Sequence, residues 1–344
     1  VETNFVDYLT TSTATVNDPG AVVAQPDYLN SVQGTITQVD NPLGMAIAGQ
    51  GFFAVSQETG EASGVPTFNP QQFYSRAGDF TLNDSGYLVN SAGEYLNGWT
   101  VDPSTGIVNQ NSLAPIQVTQ AVYNPVATSA VTLSANLPAT PADGTATSTS
   151  PISSDIDVYD ALGTQHVITL NWVQTSPDNW SVQINCPDSA TPDCGTADVS
   201  FGPNAAGDAN APSGTIGNLA VDGTDPGGVS VTPAVDGTPG IVSFSADFGS
   251  GTQNINLSLG NYGGTNGVTQ YAGTEYNLEG LTQNGVPPGS FAGVTPQANG
   301  DIVVNYNNGQ SRTIGQVPMV TFNNPDALQR QDGQSFTETI GSGT

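Results

Sequence analysis

Apolar residues in the first third of the chain form short runs that are separated by glycine-rich or polar breaks. The run over residues 45–55 is interrupted at Gly49-Gln50-Gly51. Because glycine adopts the positive φ angles of tight turns, this break predicts two short strands joined by a hairpin turn. The β-branched residues within 34–39 predict a further strand just before them.

A second pattern of the same kind follows. Two short segments, 80–82 and 87–89, flank the turn-forming sequence Asn83-Asp84-Ser85-Gly86. Alternation on both sides of a four-residue polar loop is typical of a β-hairpin. Residues 93–99 supply a third short strand, so the stretch as a whole predicts a compact β-rich platform.

Strand patterns continue through the middle and the last third of the chain. Residues 156–159, 167–172 and 180–184 alternate apolar and polar side chains, which is the pattern of a strand with one buried face. Residues 313–322 have a strand-like composition, and Pro318 within them predicts an edge position because proline cannot donate a ladder hydrogen bond.

The composition favours an all-β fold. The 344 residues include 41 Gly and 24 Pro, which suit turns and short strands better than helices. Hydrophobic residues make up 36% of the chain, which is enough to form packed cores and argues against a disordered protein. The length allows two domains.

The charge of the chain excludes two classes of partner. Three arginines and no lysine stand against 30 acidic residues, which gives a formal net charge of -27. Nucleic-acid binding needs lysine and arginine to neutralise phosphates, and an anionic membrane surface repels such a chain. No apolar run approaches the roughly 20 residues of a membrane span, so we expect no membrane insertion. The surface must consist mainly of small polar residues, which is typical of an extracellular β protein.

Two cysteines, Cys186 and Cys194, lie close together in the sequence. Without a nearby histidine they make a poor zinc site, because structural zinc normally takes four N or S ligands. Their spacing suits a disulfide that closes a hairpin loop, which the chain-entropy model values at about 2–3 kcal/mol. Such a disulfide would indicate an oxidising compartment. Two free surface thiols are the alternative.

Few residues could carry catalysis or bind a cofactor. His166 is the only histidine, and it lies beside a turn rather than in a nucleophile–base arrangement. Asp-Gly pairs such as Asp222-Gly223 and Asp236-Gly237 do not extend to a calcium-loop pattern, and turns explain them. Gly49-Gln50-Gly51 lacks the third glycine and the helix of a nucleotide-binding loop. We therefore expect no catalytic residue, no cofactor, no metal and no enzymatic activity.

Three segments between residues 49 and 99 carry a resemblance to a known family. GQGFFAV, YSRAGDFTLNDSGYLVN and GEYLNGW, in this order, resemble the signature of the bacterial flagellar rod and hook proteins. The motif is specific because several residue types recur in a fixed order. The matching positions are Gly49, Gly51, Phe52, Phe53, Arg76, Gly78, Phe80, Gly86, Leu88, Gly98 and Trp99.

The last third of the chain resembles the returning half of the same family pattern. The matching positions are Asn308, Gly309, Gly315, Gln316, Phe322, Asn324 and Pro325. In the middle, residues 158–166 resemble a turn in the outer domain of hook proteins. Because rod proteins of the family lack a long insertion, the resemblance favours the hook branch.

The two matching parts flank a long middle segment that matches only loosely. The composition changes at Asn124-Pro125, and a glycine-rich loop covers residues 260–267. We therefore expect an inner platform domain made of residues 1–124 plus 268–344, and an outer β domain, residues 125–267, inserted into it. Neither end shows the apolar heptads of the coiled-coil helices that the family carries, so we expect those helices to be absent from this sequence.

The resemblance implies a structural, extracellular subunit of the bacterial flagellar hook. Such a subunit polymerises with its own copies into a flexible tube, a universal joint that transmits torque from rod to filament. The implied partners are further copies of the chain, the rod at the base, the hook cap during assembly and the hook–filament junction protein at the tip. A secreted acidic β-rich adhesin or a calcium-binding surface module is the alternative.

Arg76 is notable in a chain with so few cations. We predict that its guanidinium pairs with a carboxylate or with carbonyl oxygens inside the platform. A contact between two subunits is the alternative.

Overall fold

The computed structural model describes residues 2–7, 22–27, 30–102, 105–223 and 228–343. Within these ranges the protein is built from β-strands and two short 3-10 helices, and it contains no α-helix. The predicted mainly β class is therefore confirmed.

The strands are numbered in chain order. Those before residue 122 are β1 (Glu2–Asp7), β2 (Val22–Asp27), β3 (Phe52–Ser56), β4 (Glu58–Ala62), β5 (Val65–Phe68), β6 (Phe73–Ser75), β7 (Thr81–Leu82), β8 (Leu88–Val89), β9 (Tyr95–Val101) and β10 (Val108–Pro115). Those between residues 122 and 289 are β11 (Ala130–Pro138), β12 (Ile152–Tyr159), β13 (Gln165–Ser176), β14 (Asn179–Asn185), β15 (Asp193–Phe201), β16 (Ile216–Val221), β17 (Ser230–Val231), β18 (Pro239–Asp247), β19 (Thr252–Asn261), β20 (Val268–Tyr271) and β21 (Asn277–Gln283). Those after residue 289 are β22 (Phe291–Pro296), β23 (Asp301–Tyr306), β24 (Ser311–Gln316), β25 (Met319–Val320), β26 (Gln329–Arg330) and β27 (Ser335–Thr337), with 3-10 helices at Pro325–Ala327 and Asp332–Gln334.

The chain forms two compact units. The platform unit consists of Val1–Ala121 and Ser290–Thr344, and the inserted unit consists of Val122–Gly289. The predicted insertion of one β domain into another is therefore confirmed. The end of the inserted unit differs from the expected residue 267, because β20 and β21 both pair with β11 inside that unit. The loop over 260–267 connects strands of one unit and does not link two units.

β9 lies at the centre of the platform unit. The main sheet has the strand order β22-β23-β24-β9-β3-β6-β27-β26, and β8 and β10 also pair with β9. Strands that precede the insertion and strands that follow it therefore lie in one sheet. β24, which follows the insertion, is the direct neighbour of β9, which precedes it. The buried run Phe52–Val55 on β3 lies next to this centre.

Three sequence predictions for the platform unit were wrong. Residues 34–39 and 45–48 form no regular strand, and only the second part of the apolar run, β3, is one. The preceding apolar run does not pair with β3, because β6, β9 and β25 already occupy the hydrogen-bonding edges of that strand. Residues 313–322 are split at Pro318 into β24 and β25 instead of forming one strand. β24 is flanked by β23 and β9, whereas β25 pairs with β3 alone among the described strands, so the edge position holds for β25 only.

The predicted hairpin over residues 80–89 is confirmed. β7 and β8 are antiparallel, with Thr81 opposite Val89 and Leu82 opposite Leu88. The third predicted strand is also present, as β9.

The inserted unit consists of two sheets that share one hydrophobic core. One sheet has the order β12-β13-β14-β15-β16, and the other has the order β17-β18-β19-β11-β20 with β21 also on β11. The alternating segments that predicted strands lie in β12, β13 and β14, and their apolar side chains face inward. The shared core includes Leu133 of β11, Trp172 of β13 and Trp180 of β14.

Truncating a leucine in this core tests the inward-facing pattern. Leu133 is fully buried, whereas Leu162 is 73% exposed in a turn. Leu133→Ala should lower the free energy of unfolding by about 2–5 kcal/mol, because a cavity adds to the lost burial. The matched control Leu162→Ala should change it by less than about 0.5 kcal/mol. Urea unfolding followed by tryptophan fluorescence measures both, and equal losses would contradict the core assignment.

Candidate functional site

Arg76 holds the backbone of Gly49-Gln50-Gly51 in place. It follows β6 directly, and its Nε and Nη2 donate to the carbonyl oxygens of Gly51 and Gly49, each at 3.0 Å. The guanidinium carbon lies 5.1 Å from the centroid of the Phe52 ring, within cation–π range. The partners of Arg76 in the structure are thus carbonyl oxygens of the same unit, and one side chain positions the turn that leads into β3.

Phe52 is the centre of an aromatic cluster that joins the two halves of the platform unit. Its ring is 1% exposed and packs edge to face on Phe322 at 5.6 Å and on Phe336 at 5.8 Å. Tyr74 of β6 contacts Phe322 at 4.9 Å. Edge-to-face pairs contribute about 0.5–1.5 kcal/mol each beyond their buried area. Two motif residues that are far apart in sequence therefore form one contact.

Phe53, the next residue of the motif, packs on the opposite face of β3. Successive side chains of a strand point to opposite faces, so Phe53 turns away from the Phe52 cluster. It packs edge to face on Phe80, with ring centroids 5.6 Å apart, and both side chains are buried. The two adjacent aromatic residues of the motif thus stabilise both faces of β3.

Gly78 lies where the loop before β7 crosses the segment before β3. The Met45 N–H donates to the Gly78 carbonyl oxygen at 2.8 Å. A Cβ atom on Gly78 would lie 1.7 Å from the Met45 carbonyl oxygen, so no side chain fits there. Close approach of two backbone segments explains this motif glycine.

The turn between β7 and β8 depends on Asn83 and Gly86. Asn83 Oδ1 accepts the N–H groups of Ser85 at 3.1 Å and Tyr87 at 2.8 Å. Gly86 has a φ angle of 80°, which a residue with a side chain adopts only with strain. Its carbonyl oxygen accepts the Val118 N–H at 2.8 Å, which ties the turn to the rest of the unit. Leu88, the next motif residue, is buried on β8.

Gly98 and Trp99 lie on β9 where the two halves of the motif meet. Gln316 of β24 is the register partner of Trp99, and Gly315 precedes it on the same strand. A Cβ on Gly98 would lie 2.6 Å from Ile116 Cδ1, so this glycine allows close packing beside β9.

The remaining motif residues lie outside this centre. Asn308 and Gly309 form the turn between β23 and β24, in which the Gly309 N–H donates to the Tyr306 carbonyl oxygen at 3.2 Å. Asn324 precedes the 3-10 helix that Pro325 begins. The structure thus gathers most motif positions around β3 and β9, and it places these four at the β23–β24 turn and at the start of a 3-10 helix.

An open groove of about 710 Å³ lies beside the motif on the platform unit. Sequence analysis missed it, because its lining comes from five parts of the chain that meet only in the folded unit. The apolar side chains at 45–48 were the only local sign of a groove in the sequence. Met319, which also lines the groove, is 57% exposed. The lining residues are Gly44, Met45, Ala46, Ile47, Ala48, Phe53, Trp99, Pro296, Gln297, Ala298, Asn299, Gly300, Gln316, Val317, Pro318 and Met319.

In the inserted unit, Cys186 and Cys194 face each other at the end of the β14–β15 hairpin. Their Cα atoms are 6.1 Å apart, which lies within the range of disulfide geometry, and both residues are buried. The loop between them carries Asp188, whose carboxylate lies 3.1 Å from His166 Nδ1.

His166 lies between two carboxylates and against an aromatic ring. Its Nε2 lies 3.7 Å from Asp160 Oδ2, on the side opposite the Asp188 contact. The imidazole stacks on Phe248, with ring centroids 4.2 Å apart. These contacts hold three loops of the inserted unit together, which is a structural role.

Asp160 is an ionised carboxylate held by hydrogen bonds. Desolvation by burial works against its ionisation, but the backbone N–H groups of Thr164 and Leu162, the Ser250 hydroxyl and His166 outweigh it. The pKa of Asp160 therefore lies below its ordinary value. The two backbone groups donate to Asp160 Oδ1 at 2.7 and 2.9 Å.

Small polar side chains pair with each other across the outward faces of the inserted unit. Such cross-strand hydrogen bonds satisfy polar groups within the chain and leave few strong anchoring points for another molecule. The pairs, each at 2.7 Å, are Ser153 with Asn171, Thr169 with Asp155, Ser243 with Asn256, and Ser245 with Asn254.

Neither a membrane-spanning helix nor a metal-binding cluster occurs in the described part of the chain. Across that part of the chain, none of the helices has the length and apolarity needed to cross a membrane. In the same residues, no three or more His, Cys, Asp or Glu side chains are grouped so that they could hold a metal ion.

Two family models match the chain. The model of the flagellar hook protein FlgE/F/G D1 domain matches residues 46–136, which lie mostly in the platform unit. The model of the flagellar basal body protein FlaE D2 domain matches residues 128–286, which lie in the inserted unit.

Known proteins with similar sequences or folds carry the same description. The flagellar hook protein FlgE of Brucella abortus is 29% identical over 99% of this chain and 74% of its own length. The FlgE of Salmonella typhimurium is 25% identical over 90% of this chain and 69% of its own length. The crystal structure of Helicobacter pylori flagellar hook protein FlgE2 superposes with a TM-score of 0.54 at 14% identity, over 88% of this chain and 93% of that one, which shows a shared fold.

The two matched β domains define a structural, non-enzymatic protein of the bacterial flagellum. The chain belongs to the flagellar hook protein FlgE family. It is a structural subunit of the hook, an extracellular part of the flagellum, and hook proteins polymerise with copies of themselves. The family that the sequence motifs indicated is confirmed.

Adding a methyl group at Gly78 tests the backbone crossing. Gly78→Ala should lower the free energy of unfolding by about 3 kcal/mol, the upper end of overpacking penalties, because the Met45 carbonyl must move. The matched control is Gly34→Ala, since a Cβ there would meet no atom within 4 Å. Differential scanning calorimetry measures both variants, and an unchanged melting temperature for Gly78→Ala would contradict the crossing.

The lowered pKa of Asp160 predicts a dependence of stability on acid. Its contribution should be fully present above the unfolded-state pKa of about 3.9 and lost as the pH falls through the lower folded-state value. Asp160→Asn should therefore reduce the free energy of unfolding near neutral pH and flatten its decline in acid. Urea unfolding at several pH values tests this, with the exposed Asp143→Asn as control. The same pH slope in wild type and Asp160→Asn would refute the prediction.

Proposed function

We propose that the chain works in the hook as part of a flexible tube, a universal joint that transmits torque from the flagellar rod to the filament. The observation that carries this proposal is the packing of Phe52 on Phe322, because it closes the platform unit around both ends of the insertion. A unit closed in this way offers the same surface in every copy, as a polymer of identical subunits requires.

The two units would have different tasks. We assign the inner domain, which holds neighbouring copies together, to the platform unit, and the outer domain to Val122–Gly289. The outward polar pairs of the inserted unit support weak contacts between copies, because deep apolar interlocks would resist sliding during bending. The motif residues act through the fold: Arg76, the two phenylalanines of β3 and Gly78 keep the platform in one shape.

We also propose a disulfide between Cys186 and Cys194. It would close the β14–β15 loop and keep Asp188 beside His166. Alkylation of the denatured, unreduced protein should label neither cysteine, and prior reduction should expose both to labelling. Labelling without reduction would show that the thiols are free.

The other partners follow from the place of a hook in the flagellum. We propose that the rod contacts the first copies at the base, that the hook cap covers the growing end during assembly, and that the hook–filament junction protein binds at the tip. No observation on the described residues favours the adhesin alternative over these partners.

Immunogold electron microscopy on the source bacterium tests the proposed function. With antibody against this chain, gold should be confined to the short curved segment at the base of each filament. A strain that lacks the gene is the control, and it should show neither gold nor that segment. Gold spread over the cell surface of the wild type would reject the hook role and favour an adhesin.

A further inference from the structure

Asp208 presents a buried carboxylate oxygen that the protein does not satisfy. The residue is 7% exposed, and its Oδ1 accepts the Asn210 N–H at 2.8 Å. Among the described residues its buried Oδ2 has no hydrogen-bond partner. A buried carboxylate oxygen in this position is a candidate ligand for a cation, because burial without a compensating partner is unfavourable.

A second carboxylate reaches the same place. Around the position that a Cβ atom would take on Gly263, Asp236 Oδ1 lies at 2.7 Å and Asp208 Oδ2 at 3.4 Å. The absence of a side chain on Gly263 leaves this space to the two oxygens. Asp236 is exposed, so solvent ions have access to its carboxylate. Two neighbouring carboxylates repel each other unless a cation or a proton lies between them.

Backbone hydrogen bonds fix the three loops that meet here. The carbonyl oxygens of Ile216 and Gly217, at the start of β16, accept the N–H groups of Gly263 at 3.0 Å and Asp208 at 2.7 Å. The Gly237 N–H donates at 3.0 Å to the carbonyl of the residue before Gly263, which holds the turn that carries Asp236. Both carboxylates therefore project from backbone that is already in place, and preorganisation of this kind favours ion binding.

The inserted unit has almost no cation of its own. Its residues 122–289 contain fifteen acidic residues, one histidine and no lysine or arginine. The histidine, His166, is engaged with Asp160 and Asp188. No lysine or arginine of this unit can therefore neutralise Asp208, and a cation that does so has to come from solution. Carboxylate oxygens suit hard divalent cations, and calcium accepts irregular sets of carboxylates, carbonyls and water more readily than magnesium does.

We propose that Asp208 and Asp236 bind a divalent cation beside Gly263, with calcium preferred over magnesium. The ion joins the loop that carries Asp208 to the turn that carries Asp236. Water completes its shell. This site is independent of the hook function, which stands whether or not the ion binds.

Calorimetric titration of the chelator-treated full chain with calcium chloride tests the proposal. Wild type should bind calcium and show a higher melting temperature in its presence, because a ligand of the folded state stabilises it. Asp208→Asn and Asp236→Asn should each weaken the calcium affinity at least about tenfold. The exposed Asp143→Asn is the matched control and should bind like wild type.

Each other outcome decides against the proposal. Binding that both variants retain would place the ion elsewhere on the acidic surface. No heat and no shift in melting temperature at millimolar calcium would show that Asp208 and Asp236 hold no divalent cation. Equal affinity for magnesium chloride would overturn the calcium preference. Because Asp236 is exposed, Asp236→Asn keeps the test valid even if Asp208→Asn fails to fold.

Discussion

The platform unit depends on the contact between Phe52 and Phe322. These side chains come from segments separated by the whole inserted unit, and the pairing of β24 with β9 joins the same two halves a second time. The entropic cost of closing a flexible loop rises only slowly, by about 0.6 kcal/mol for each doubling of its length. A long insertion is therefore tolerated if the closing contact is strong. Arg76 strengthens it from one side, since its guanidinium lies against Phe52 and holds the preceding turn.

The positively charged side chains are confined to one of the two units. The three arginines, Arg76, Arg312 and Arg330, all belong to the platform unit, and the inserted unit is almost purely acidic. Copies of the inserted unit repel each other at low ionic strength, and physiological salt limits this repulsion to about 8 Å. The platform unit carries the other fifteen acidic residues beside its three arginines, so both units are net negative and charge by itself holds neither unit against a copy of itself.

Local sequence was sufficient to predict features that local chemistry determines. The β7–β8 hairpin follows from Asn83 and Gly86, and the strands of the inserted unit follow from alternation against a shared core. Sequence failed where partners come from far away in the chain. Residues 45–48 look like a strand but lie beside a β3 that already has its partners. The groove near Met319 and the carboxylates beside Gly263 were not foreseen, because each combines segments that are distant in sequence and carries no local pattern.

The self-paired polar faces of the inserted unit have a mechanical consequence. A surface whose serine, threonine and asparagine groups are already bonded to each other exchanges mainly water when it moves along a neighbour. The energy of such motion varies little with position, so this surface offers low friction and little restoring force. In the proposed arrangement, the stiffness of a bent tube would then reside in the platform units, and the inserted units would act as a bearing.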